Sequence, residues 1–193
     1  LFNRFVLNGY KVLQSWDALV YHFTSRGSRF NKHAGGSAGV NSEEWLYTTG
    51  KNMRNFIRKW GTGVLHDSLM KPIIPNKYNV GIRIKNSNKS LLHALEPWSD
   101  CICMDNDFAS YILEEQPNTS IDLQDRINTL SHLCTNDVVV DIDGRLFNNT
   151  DFEYIQKLSQ ILDDSGKEGK FQLGNLFITI HRLETYTKDL VNL

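Results

Sequence analysis

A histidine at the end of an apolar run, followed at once by hydroxyls and guanidinium groups, is the constellation in this chain with the most evident chemical capacity. It reads Ala18-Leu19-Val20-Tyr21-His22-Phe23-Thr24-Ser25-Arg26-Gly27-Ser28-Arg29-Phe30. A strand that stops at an imidazole fixes the ring, and neutral histidine is a common ligand of divalent metals. Arginine, serine hydroxyls and loop N–H groups are the usual partners of phosphate oxygens. The stretch therefore reads as one side of a site for a metal-bound, phosphate-bearing ligand. Against this stands the plain alternative of a core histidine bonded to backbone and two arginines in surface ion pairs.

A second candidate is Val138-Val139-Val140-Asp141-Ile142-Asp143-Gly144-Arg145. Its Asp141 and Asp143 resemble the first motif of haloacid-dehalogenase-type phosphatases, where a strand-end aspartate is the nucleophile. The same residues have the form of a metal-binding Asp-x-Asp. Arg145 stands where those phosphatases carry threonine, and only about fifty residues remain for their other motifs. A buried strand ending in an Asp-Gly turn is the stronger reading. Cys101 and Cys103 fall on one face of a strand, too few and too close for zinc. His33, His66, His93, His132 and His181 are scattered and receive no role.

The elements that must position these groups follow from periodicity. Apolar residues at Leu1, Phe2, Phe5, Val6 and Leu7 read as the tail of a helix closing at Gly9, and Trp16–Phe23 as a strand. Asn41 and Glu44 form a capping pair for a helix running through Trp45, Phe56, Ile57 and Trp60 to Gly61. On its opposite face Lys51, Arg54 and Arg58 read as a solvated stripe. Lys71-Pro72-Ile73-Ile74-Pro75-Asn76 is the best boundary in the chain, dividing residues 1–75 from 76–193. Beyond it strands are expected at Val80–Ile84, Asp100–Met104 and Val138–Ile142, with a hairpin at Phe171–Leu173 and Leu176–Ile180. Helices are expected at Ser90–Leu95, Phe108–Glu115, from Ser120 through Cys134, from the capping box Thr150–Glu153 through Leu162, and at Glu184–Val191. That alternation predicts an α/β unit with a mixed, partly parallel sheet.

The first sixty residues carry a resemblance. Leu7-Asn8-Gly9-Tyr10-Lys11-Val12-Leu13-Gln14-Ser15 followed by Ala18–Phe23 resembles the end of the catalytic domain in family 2 glycosyltransferases of the GT-A fold. Ser25–Phe30 with Arg54-Asn55-Phe56-Ile57-Arg58-Lys59-Trp60-Gly61 is similar to glycosyltransferase-like proteins of large marine phages. The resemblance implies transfer of a sugar from a nucleotide-diphosphate donor to an acceptor, with a divalent cation (Mn or Mg) holding the diphosphate; it makes His22 the candidate metal or diphosphate ligand and has Ser25, Arg26, Ser28 and Arg29 stabilise the leaving phosphates. It makes residues 1–75 the C-terminal remnant of that catalytic domain and 76–193 an accessory α/β domain. The family's nucleotide-binding half and its Asp-x-Asp would then lie upstream of Leu1, so the chain is expected to be inactive alone. A non-catalytic interaction module is the alternative.

Composition narrows the rest. At 40% hydrophobic and 11% aromatic residues the chain can build a core. No apolar run approaches the ~20 residues needed to cross a bilayer, and no signal peptide opens it. Leu1 in place of Met points to a fragment, and an apolar face left bare would favour self-association. Three cysteines without metal spacing suit reduced thiols and a cytoplasmic setting. Residues 1–77 hold 11 Lys/Arg against 4 Asp/Glu, and residues 78–193 hold 10 against 18. Either the basic part faces an anionic ligand, or two oppositely charged surfaces meet inside the molecule. The acidic second half, with no basic-aromatic stripe, argues against nucleic acid.

Overall fold

A computed structural model describes residues 1–13, 15–19, 28–37, 40–106 and 108–191. The chain opens with helix α1 (Phe2–Leu7) and a second helix, α2 (Glu43–Trp60). The α2 N-cap is Ser42, whose hydroxyl accepts the Trp45 N–H at 3.2 Å, and Gly61 closes the helix at φ +69°. The expected cap thus moves from Asn41 to its neighbour, an equally competent oxygen. Within Trp16–Phe23, residues 16–19 form no strand, and the remainder lies outside the described residues. A two-stranded antiparallel ladder, β1 (Leu65–His66) with β2 (Pro72–Ile73), precedes the main sheet.

Six strands build that sheet: β3 (Val80–Lys85), β4 (Cys101–Met104), β5 (Ile127–Thr129), β6 (Val138–Asp143), β7 (Gly169–Leu173) and β8 (Leu176–Ile180). Their spatial order is β5-β4-β3-β6-β8-β7. The first four are mutually parallel, β8 is antiparallel to β6, and β7 returns antiparallel on the edge. The expected α/β unit with a mixed, partly parallel sheet is therefore what the chain forms. Helices α3 (Lys89–Leu95), α4 (Ala109–Glu115), α5 (Leu123–Arg126), α6 (Asn149–Gln156) and α7 (Leu158–Ser165) connect the strands.

Alternation along the strands sorts two faces. Ile82, Ile84, Ile102, Met104, Ile127, Val140, Ile142 and Ile178 point to one face, where Leu92, Leu95, Tyr111, Ile155 and Leu162 of the helices bury them. The chain winds from β3 outward to β5 and then reverses to reach β6. A right-handed crossover in the reversed direction must pass over the opposite face. Residues 130–137 make that passage without a helix. Their Cys134 packs directly on β3, where a Cβ on Gly81 would collide with its sulfur.

Two expectations need correction here. The helix expected from Ser120 through Cys134 is a single turn, capped by Asp122, that gives way to β5 at Ile127. Ile127 gains burial and a parallel ladder with Ile102 on that path, which outweighs a 3.6-residue spacing of apolar side chains. The last helix is only a 3-10 turn over Thr187–Val191. In addition, the helix from 150 to 162 is split at Lys157, and its capping box is Asn148 with Asp151.

The rim where β3 and β6 begin is stapled shut. Buried Asp137 accepts the Tyr186 hydroxyl at 2.6 Å and pairs with Arg182 at 2.7 Å. Tyr186 N–H donates to the Lys77 carbonyl at 2.8 Å, and Lys77 N–H to the Thr187 hydroxyl at 2.8 Å.

Helix α2 docks on the sheet unit through buried charge. Arg58, whose side chain is 0% exposed, meets Glu96, also 0% exposed, at 2.6 Å and Glu115 at 2.8 Å. Arg126 adds a 2.9 Å contact to Glu96, the Tyr111 hydroxyl donates to it at 2.7 Å, and Arg54 grips Glu115 at 2.7 and 2.8 Å. Burial alone would lower the Arg58 pKa, but the bonds and charges of Glu96 and Glu115 outweigh it and hold the guanidinium above its ordinary value. Arg54 and Arg58, expected on a solvated stripe, are instead the joint between the basic and acidic parts of the chain. Among the described residues no helix is long and apolar enough to cross a membrane.

Candidate functional site

β3 and β6 stay paired to their last residues, Lys85 opposite Asp143, at the point where the strand order reverses, and the carboxyl edge at such a point is where open α/β sheets bind ligands. The residues there are Asn86 and Ser87 after β3, Asp105 and Asn106 after β4, and Asp143, Gly144 and Arg145 at the end of β6. Asn86 has φ +52°, a left-handed conformation that asparagine tolerates better than most residues. That backbone reversal aims its groups sideways across the sheet. Its N–H donates to Asp105 Oδ2 at 2.5 Å, while its side-chain amide donates to Asp143 Oδ1 at 2.9 Å.

Ser87 completes the support of Asp105, giving its N–H at 2.9 Å and its hydroxyl at 2.6 Å to Oδ1. The Ser87 hydroxyl and N–H, with the Asn86 N–H, hold the Asp105 carboxyl below its ordinary pKa. Asn106 ties the turn by donating its amide to the Ser87 carbonyl. Across the gap, Gly144 N–H donates to the Lys85 carbonyl at 2.8 Å. A Cβ at residue 144 would stand 2.5 Å from the Asn86 carbonyl oxygen, so only glycine lets the two strand ends approach this closely.

Asp143 accepts from the Arg145 side chain at 3.2 Å, the Arg145 N–H at 3.0 Å and Asn86. Led by the Arg145 side chain, these donors pull its carboxyl down to about 2. It is ionised at any physiological pH, and Arg145 beside it is largely exposed. The mouth thus sets two oriented carboxylates, bridged by one asparagine, beside the turn into α3, with the exposed Arg145 guanidinium paired to Asp143.

Asp141, two residues earlier, is inside the strand and not at its end. It faces Arg83 at 3.2 Å on the helix-free side of the sheet. Among the described residues no group of three His, Cys, Asp or Glu side chains is arranged to enclose a metal ion.

Of the residues expected from sequence, His22, Ser25 and Arg26 lie outside the described residues. Ser28 begins a 3-10 turn over Ser28–Phe30. Arg29 is partly committed: its Nε donates to the Asn41 side chain at 2.7 Å, and its guanidinium lies over the Trp45 ring at 4.8 Å. It fastens the preceding loop to the start of α2. Asp105 was missed in the sequence because its part depends on β4 lying next to β3. Its separation from Asn86, 19 residues, was the available signal, since the ribose-binding acid of dinucleotide folds follows the first turn by about 20.

The fold and the mouth define an α/β unit with a mixed, partly parallel sheet, its helices packed on one face and an antiparallel hairpin at one edge. No protein-family model, curated protein or solved structure matches the chain.

Proposed function

We propose that residues 78–191 bind the nucleoside diphosphate of a nucleotide-sugar donor, and that the chain belongs to a glycosyltransferase. The observation that carries the reading is Asn86, which joins Asp105 and Asp143 at the point where the strand order reverses. In this reading Asp105 takes ribose hydroxyls, as the acid at the end of the second strand does in dinucleotide folds. Asp143 faces the diphosphate, with Arg145 as an additional phosphate donor. A divalent cation held by Asp143 and by the ligand's own oxygens would neutralise the departing diphosphate. The chain's part is to hold two ionised carboxylates in fixed orientation before the donor arrives, so that no reorganisation is needed on binding.

The resemblance of Leu7–Ser15 and Ala18–Phe23 to family 2 glycosyltransferases supports the same chemistry from an independent stretch. The reading differs from the sequence expectation in one respect: the nucleotide-binding half falls within the chain and not upstream of Leu1. His22, Ser25, Arg26, Ser28 and Arg29 stay as proposed phosphate and metal contacts contributed by residues 1–75, with Arg29 limited to its exposed edge.

The test is calorimetric titration of the whole chain with UDP and with GDP, each with and without Mn²⁺. Cation-dependent binding is expected, weakened about tenfold or more in D143N and in D105N, as for loss of a charge-assisted contact. No binding of either nucleotide at millimolar concentration, or equal binding by both variants, would refute the proposal.

A further inference from the structure

We infer that the helix-free face of the sheet is a second binding site, for a small phosphate-bearing anion, separate from the mouth and independent of the glycosyltransferase reading. Parallel strands are normally covered on both faces. Here the non-helical crossover 130–137 rests over β3 and β4 and leaves the rest of that face uncovered. Between the crossover and the β7–β8 hairpin lies a trough of about 370 Å³. Its floor is Arg83 and Asp141, and its walls bring His132, Lys170, Thr179 and His181 around them. The register explains the gathering, since Lys170 stands opposite Thr179, and Arg83 opposite Asp141.

Arg83 decides the ligand's charge. Its Nη1 reaches Asp141 at 3.2 Å, a long contact with both side chains about 40% exposed. Its Nε is buried and, among the described residues, has no acceptor. The rest of the side chain stays partly exposed to the trough beyond that long contact, and an oxyanion is the natural acceptor for guanidinium donors. Arg83 and Lys170 outweigh Asp141 in charge before either histidine is counted. Donors with different directions (guanidinium, ammonium, hydroxyl and imidazole) suit a tetrahedral oxyanion better than a planar one. The volume lies within the range of small-ligand sites and would hold a phosphorylated sugar or a comparable monoester.

The probe is inorganic phosphate, followed by amide chemical shifts of the whole chain. Saturable shifts are expected at Arg83, Lys170, Thr179 and His181, with affinity in the millimolar range. Lys170→Met on the exposed edge strand, and Arg83→Lys, which keeps the charge but removes the fork, should each weaken binding about tenfold. D143N and D105N should leave it unchanged, which separates this site from the mouth. Shifts centred on Asn86 and Asp143, wild-type affinity in K170M, or no saturable shift would each overturn the inference. Acetate competing as well as phosphate would overturn the choice of a phosphate group.

Discussion

Replacing Glu96 by glutamine removes one charge and almost no volume from the joint between α2 and the sheet unit. In the native arrangement the Glu96 carboxylate receives Arg58 through Nε and Nη2 and the Tyr111 hydroxyl, at 2.6–3.1 Å, and faces the Arg126 guanidinium as an ion pair at 2.9 Å. E96Q leaves Arg54, Arg58 and Arg126 with a single carboxylate, Glu115. Arg58 is fully buried and Arg126 nearly so. Removing one partner from a buried ion pair costs about 3–5 kcal/mol, because the charge left behind keeps its desolvation penalty. That is a large share of the roughly 5–15 kcal/mol by which domains are stable. For a chain of this size it corresponds to a fall in Tm of about 6–20 °C. Differential scanning calorimetry and urea midpoints on wild type and E96Q measure it. R58M is the control: Glu96 keeps Arg126 and Tyr111, Glu115 keeps Arg54, and two arginines then face two glutamates, where the native joint sets three against two and E96Q three against one. R58M should therefore cost less than E96Q, and R58M in the E96Q background should recover part of the loss. A Tm change under about 2 °C for E96Q, or a larger loss for R58M than for E96Q, would refute the charge-balance argument.

Two further outcomes follow from the sheet. Gly81→Ala puts a methyl group against the Cys134 sulfur and 2.6 Å from Asn136 Oδ1. It should cost about 1–3 kcal/mol in urea unfolding, and Cys134→Ala in the same chain should restore much of it; no rescue would mean that the strain lies elsewhere. Asp143, held at about 2 mainly by Arg145, is depressed from its unfolded value, so its contribution to stability is present above about pH 4 and disappears as pH falls toward 2. A carboxyl NMR titration should show that midpoint near 2 and its rise in Arg145→Ala, whereas a wild-type midpoint near 4 would contradict the hydrogen bonding described at the mouth.

How far the sequence disclosed this molecule depended on distance along the chain. The hairpin at 171–180, the buried strand at 138–142 and the closure of α2 at Gly61 are local patterns, and each was legible. The caps were displaced by a residue or two, to Ser42 and Asn148, where neighbouring oxygens compete for the same N–H groups. The stretch from Leu123 to Cys134 misled because its apolar residues fit a helical period while serving two faces of a sheet: Ile127 packs on one and Cys134 on the other. Arg58 looked solvated since its partners Glu96 and Glu115 are 38 and 57 residues away. The lopsided charge of the two parts did hint at their meeting. Of the mouth, the Asp143-Gly144 turn was visible; its coupling to Asp105 through Asn86 needed the strand order.

Because Lys77 and Tyr186 are hydrogen-bonded neighbours, the path into the six-stranded body and the path out of it share one doorway, on the rim away from the strands' carboxyl ends. Such a body behaves as a cassette. Both crossings thus fall on the rim away from the mouth, and the polypeptide entering there still returns to the body through α2, which docks on it by way of Arg54 and Arg58.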